Sequence, residues 1–122
     1  MKLDTTLETP IYLQIAAGLE DGIFLGAYPE ETQVPSTTEL SVSLQINPAT
    51  VLKGVNLLVE EGILYKKRGV GMFVSKGAQE KIREKRQNAF YEGYIRPLVT
   101  EAKKLGLAEE QLLKLLERGY RE

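Results

Sequence analysis

The sequence predicts a mainly α (α+β) fold: a winged helix-turn-helix domain over residues 1–76 and a two-helix C-terminal dimerisation tail over 77–122. Three observations carry that expectation. Two helix-start signals, Ser36-Thr37-Thr38-Glu39 and Asn47-Pro48, follow one another closely. Two short β-prone runs then flank Arg68-Gly69-Val70-Gly71. Finally, residues 77–122 hold more apolar surface than lone helices can expose and too few residues for a second core.

The first helix is expected from Pro10, with Thr9 as its N-cap, because proline suits a first helical position whose N–H has no partner anyway. Tyr12, Ile15, Ala16, Leu19 and Ile23 recur at helical spacing and give one apolar stripe. Gly26 and Pro29 end it, and Tyr28 to Gln33 reads as a loop. The second helix opens at Ser36, where Ser-Thr-Thr-Glu is a capping box: the serine oxygen takes an orphan N–H and Glu39 reaches back. Leu40 and Leu44 are its core residues, and Gln45-Ile46 is a tight turn. Asn47 then caps a third helix with Pro48 in its first turn. That helix runs to about Glu61, with Val51, Val55, Leu58 and Val59 inward and Thr50, Lys53 and Asn56 or Leu57 on another side. Gly54, costing up to about 1 kcal/mol in mid-helix, is expected to pack closely on the first helix.

Ile63 to Lys67 and Met72 to Ser75 are the two β-prone runs, a hairpin directly after a helix-turn-helix and therefore a wing. From Lys76 to about Lys104 the pattern is helical and charged, becoming apolar at Phe90, Tyr91, Tyr94, Ile95, Leu98 and Val99, with a kink expected at Pro97. A last helix, Glu109 to about Arg118, carries Leu112, Leu113, Leu115 and Leu116. The simplest way to cover these residues is the same segment of a second chain, giving a two-fold dimer.

Composition narrows the function. With 122 residues, 43% hydrophobic and 27% charged, the chain is ordinary globular material and not a disordered one. No apolar run approaches the roughly 18 residues of a membrane span and no signal pattern opens the chain, so a cytoplasmic protein is expected, with no membrane partner. Cys and His are both absent, removing thiolate metal sites and the commonest general base. No metal, cofactor or enzyme activity is expected; whether a small-molecule effector acts on the protein is unknown from sequence. Net charge is −1, so bulk charge says nothing about nucleic acid. Placement says more: residues 1–76 carry six Lys/Arg against nine Asp/Glu, yet four of those six are Lys53, Lys66, Lys67 and Arg68.

The order Pro10-Ile-Tyr-Leu-Gln-Ile, Val34-Pro35-Ser36-Thr-Thr-Glu39-Leu40-Ser41, Asn47-Pro48-Ala49-Thr50-Val51, Leu58-Val-Glu-Glu-Gly62-Ile63-Leu64-Tyr65 and Arg68-Gly69-Val70-Gly71-Met72-Phe73-Val74 resembles the winged-helix domain of GntR-family bacterial transcription regulators. The match runs over about residues 9–76 in one register, and the short tail is similar to the YtrA-type branch, which lacks a large ligand-binding domain. The resemblance implies a homodimeric repressor of a nearby operon, often one encoding an ABC transporter. It carries Ser36, Asn47, Thr50, Lys53, Arg68, Gly69 and Gly71 over as matching positions. It also shows departures: the family usually has Arg where this chain has Thr38, many members have Arg at Leu52, and Gly is common at Gln45. The operator is therefore expected to differ from that of Arg-containing relatives.

Double-stranded DNA, as a pseudo-palindromic operator, is the expected partner. Ser36 and Asn47 are helix caps first, and the helix start Ser36, Thr37 and Thr38 is also suited to a phosphate. Thr50 and Lys53 are expected to touch DNA, Thr at phosphate or a thymine methyl, Lys at phosphate or guanine. In the wing, Gly69 and Gly71 make a slim tip that brings Arg68 to a minor groove. Lys66 and Lys67 face opposite ways on a strand, so one of them reaches phosphate. Tyr91, Tyr94, Ile95, Leu98, Leu112 and Leu116 are expected as core or dimer surface, a small-molecule pocket being the lesser alternative. The competing reading, motivated by the acidic first segment and the missing arginines, is a winged helix that docks protein and has lost DNA.

Overall fold

Pro10 opens the first helix, but as its cap and not its first residue. In the computed structural model, which describes residues 1–122, Pro10 is extended (φ −54°, ψ 146°) and α1 is Ile11–Phe24. The Pro10 carbonyl accepts from the N–H groups of Leu13 and Gln14. Thr9 makes no cap. A residue before proline is pushed out of helical φ/ψ, and its carbonyl is taken by the Gln14 side chain at 2.9 Å. The stripe behaves as expected, with Ile15, Leu19 and Ile23 fully buried and Tyr12 half-buried.

The helix-turn-helix follows from local hydrogen bonds. Ser36 Oγ accepts from Glu39 N at 3.0 Å and Ser36 N donates to Glu39 Oε1 at 3.1 Å, a complete capping box for α2 (Thr37–Leu44). The turn is closed by Gln45 in the left-handed region (φ 54°), with Ile46 N donating to Ser41 O and Ser41 Oγ to Ile46 O. Asn47 Oδ1 then accepts from Ala49 N at 2.8 Å and starts α3 (Pro48–Glu60). Val51, Val55 and Leu58 are buried on its inner face. Gly54 explains how α3 meets α1: a Cβ there would lie 2.6 Å from the Tyr12 carbonyl oxygen and 3.3 Å from Ile15. Only hydrogen allows that approach.

Strands β1 (Leu64–Lys67) and β2 (Gly71–Val74) pair antiparallel, Leu64 opposite Val74 and Lys67 opposite Gly71. The segment before α2, read from sequence as a loop, lies along β2. Glu31 N donates to Val74 O, Val74 N to Thr32 O and Val34 N to Met72 O, with Gln33 bridging to Phe73. The wing thus has a third, irregular edge. Ile63, Leu64, Val74, Val34 and Leu40 join α1 and α3 in one core.

Two compact units result, Met1–Glu84 and Lys85–Glu122. The first extends past the expected boundary at 76 because α4 (Ala78–Phe90) starts by inserting Ala78 and Ile82, both fully buried, into the core. The second unit holds the end of α4, a wider π-helical turn over Tyr91–Ile95, α5 (Arg96–Lys104) and α6 (Glu109–Tyr120). Pro97 does not interrupt the helix. It sits in the first turn of α5, and the π turn just before it relieves the crowding that its ring and missing N–H impose. Gly106 (φ 72°) ends α5, and Leu107 N donates back to Ala102 O. Gln111 Oε1 accepts from Ala108 N at the start of α6. No helix of the chain is long and apolar enough to cross a membrane.

Candidate nucleic-acid interface

Three elements of the first unit carry the residues singled out from sequence. The α2 start is mostly consumed by its own cap. Ser36 Oγ and Ser36 N are both engaged with Glu39, so the outward-facing donors are the Thr37 and Thr38 N–H groups, which a helix start leaves without intrahelical partners. Glu39 places a carboxylate at the same spot and weakens its pull on an anion. Asn47 likewise spends its carbonyl oxygen on Ala49 N. Both cap readings hold.

The outer side of α3 presents Leu52, Lys53 and Asn56, all exposed, while Thr50 is half-buried. Positions 49, 52, 53 and 56 follow helical neighbour spacing and form one face. Lys53 is not a loose cation. Its Nζ stands 4.0 Å from the centre of the Tyr12 ring on α1, a contact worth about 0.5–1 kcal/mol at an exposed site. Leu52 is 42% exposed. An apolar side chain in this otherwise polar face suits a thymine methyl better than a phosphate. The sequence alone marks it only as a position where many relatives have arginine.

The wing sorts its cations by face. Leu64 and Lys66 lie on one side with Val74 and Met72; Tyr65 and Lys67 lie on the other with Phe73. Tyr65 stacks on Phe73 (5.9 Å between ring centres), and Lys67 Nζ lies 4.3 Å from the Phe73 centre. Lys66 and Lys67 thus point opposite ways. Tyr65 Oη donates to Glu31 Oε2 at 3.1 Å; partial desolvation, the bond itself and the carboxylate charge all raise its pKa, so the phenol remains a donor at neutral pH. At the tip Val70 N donates to Lys67 O across a turn whose third residue, Gly69, has φ 77°, the position where a type II turn needs glycine. Arg68, Gly69 and Val70 are exposed.

A residue that sequence reasoning missed, Gln33, closes the tip from below. Its Nε2 donates to Val70 O at 3.0 Å. A Cβ on Gly71 (φ 146°) would meet that same Nε2. No local signal marks Gln33, since its partner lies 37 residues away. The sequence marks Tyr12 only as part of the apolar stripe; its contact with Lys53 depends on how α1 and α3 cross.

These three elements pack in sequence, α2 on α3 and α3 on β1. Residues 11–74 match the family described as bacterial regulatory proteins, gntR family. The chain belongs to the GntR family. It is 30% identical over 112 residues to the HTH-type transcriptional repressor YtrA of Bacillus subtilis (strain 168), covering 92% of this chain and 85% of that protein. Among solved structures it is similar to a GntR-family transcriptional regulator from Bacteroides thetaiotaomicron, with TM-score 0.78, 32% identity and coverage of 91% of this chain and 96% of that one. The DNA-binding domain of AraR, solved in complex with an operator, matches at TM-score 0.55 and 27% identity over 61% of this chain and 90% of that one. The GntR chain is thus a DNA-binding helix-turn-helix transcription regulator and not an enzyme.

The tail residues Tyr91, Tyr94, Ile95, Leu98, Leu112 and Leu116 belong to the second unit. Tyr91, Tyr94, Leu98 and Leu116 are exposed; Ile95 and Leu112 are half-buried. The inner faces of α5 and α6 leave an apolar groove of about 370 Å³ lined by Leu98, Val99, Ala102, Leu112, Leu113 and Leu116.

Proposed function

We propose that the protein is a homodimeric repressor acting in the cytoplasm on a pseudo-palindromic operator, each protomer laying α3 in a major groove with the wing 66–71 beside it. The observation that carries this reading is the packing of α3 on β1, which joins the Leu52, Lys53 and Asn56 face to the strand leading into Lys66, Lys67 and Arg68. Thr37 and Thr38 add backbone donors for a phosphate, and Thr50 borders the α3 face. Two-fold symmetry calls for half-sites about one helical turn apart. Dimerisation uses the uncovered apolar faces of α5 and α6, for which a matching segment is the simplest cover. The resemblance to the YtrA branch supports an ABC-transporter operon near its own gene as the target.

The test is a mobility-shift titration with DNA flanking its own gene. Some 6–10 phosphate contacts per dimer predict a loss of about 10³–10⁵ in affinity between 50 and 200 mM salt. Arg68→Ala is expected to weaken binding about tenfold or more. Transcription of the adjacent operon should rise when the gene is deleted. Absence of salt-sensitive retention on any DNA would overturn the reading and favour the protein-docking one; a protein that sediments as a monomer at all concentrations would remove the dimer.

A further inference from the structure

We propose that Gln33 is a positioning residue of the wing: its side-chain amide holds the loop Arg68–Val70 in one conformation and thereby aims Arg68 at DNA. This rests on the DNA-contact reading of Arg68 given above and deepens it. Three features carry it. First, Gln33 Nε2 donates to the Val70 carbonyl at 3.0 Å, one residue before the second strand begins. A carbonyl at a hairpin tip otherwise turns to water, so this bond selects one loop geometry from several of similar energy. Second, the Gln33 side chain occupies the space that a Cβ at Gly71 would take. Glycine there thus serves a side-chain seat as well as a turn. Third, the Gln33 backbone is itself fixed on the wing. It bridges Phe73, and its neighbours are tied to β2 by Val74 N to Thr32 O at 2.9 Å and Val34 N to Met72 O at 3.0 Å. The amide is therefore delivered from a framed base and not from a free loop. Gln33 is exposed and lies just before the α2 start, so it links the wing tip to the helix-turn-helix without entering the core.

The chemistry requires a donor on an uncharged arm of this length. Gln33→Met keeps the volume and removes the donor. Held one way, Arg68 binds without first being ordered; released, it loses that advantage. The expected result is operator binding weakened about fivefold, with an unfolding midpoint like that of the unsubstituted protein. Gln33→Met removes no charge and Arg68 still reaches DNA in the complex, so the slope of log affinity against log salt should stay that of the unsubstituted protein, whereas Arg68→Ala should flatten it. In an Arg68→Ala background, Gln33→Met should have no further effect.

Unchanged affinity in Gln33→Met, with Arg68→Ala weakened, overturns the inference and leaves the wing reading intact. Equal weakening by Gln33→Met with and without Arg68 also overturns it, because the residue then acts independently of the arginine. If Arg68→Ala itself binds as well as the unsubstituted protein, the wing reading and this inference fall together.

Discussion

The first unit hides its apolar side chains and the second does not. Ile15, Leu19, Ile23, Val51, Val55, Leu58 and Ile63 are at most 1% exposed, whereas in Lys85–Glu122 the buried hydrophobic core is Ala102 alone, with Tyr94 69% and Leu113 49% exposed. Both units are helical, charged outside and amphipathic. The difference lies in layer number. The first has three helices, a hairpin and the head of α4 closing around one centre, and the second is essentially a helical hairpin, which has only one inner face and no third element to cover it. A closed core and an open apolar face therefore coexist in one short chain, and the open face is the one that the proposed dimer would cover.

Paired substitutions test that contrast. Leu58→Ala should cost about 2–5 kcal/mol in chemical denaturation, since the cavity lies in a closed core. Leu116→Ala, at a side chain already 41% exposed, should change unfolding of dilute monomer by only about 0.5 kcal/mol. A comparable loss at both would show that the tail is as well packed as the core. Helical glycines give the next largest difference. Gly54→Ala should destabilise by about 1–3 kcal/mol through overpacking against Tyr12 and Ile15, despite alanine's better helix propensity. Gly93→Ala meets no atom within 4 Å and should stabilise by about 0.5–1 kcal/mol, read as opposite shifts of the thermal midpoint.

Caps sharpen the comparison further. Ser36→Ala should cost about 1 kcal/mol by opening the capping box. Ala108→Ser should add a similar amount at α6, whose cap residue offers no side-chain acceptor; helicity by circular dichroism and the midpoint report both. The smallest effect is at the helix ends. The tail closes α5 with Gly106, but α2 is closed by Gln45 at φ 54°. Gln45→Gly should stabilise by less than about 1 kcal/mol, the left-handed penalty being partly offset by the greater freedom of glycine in the unfolded chain. A loss of stability there would mean that the Gln45 side chain has a role of its own.

Much of the local structure around the candidate interface is legible in the sequence. The caps at Ser36 and Asn47, the inward stripe of α3 and the hairpin at Arg68-Gly69 are as expected, because each is decided within a few residues; Gly54 is legible only as a glycine in mid-helix, which asks for a close neighbour. The first cap differs locally, Pro10 taking the place of Thr9, while the burial of Ala78 and Ile82 in the first unit's core depends on contacts far along the chain. What escaped was the partner of each cation. Lys53 looked like a free side chain on a polar face, and in the fold it lies on Tyr12. Strand alternation separates Lys67 from Lys66 but does not say what either one meets, and in the fold Lys67 lies on Phe73.

The amino-acid order by itself determined where helices begin and end, which faces turn inward and which family the chain resembles. Those features depend on hydrogen bonds and side-chain periodicity over three or four residues. Only the tertiary structure decided that 31–34 edges the wing, that Gln33 grips Val70 and that aromatic rings seat two of the cations. These contacts join residues tens of positions apart or across a pleat. They exist only after the helices have crossed and the hairpin has docked, so no short stretch of sequence encodes them alone.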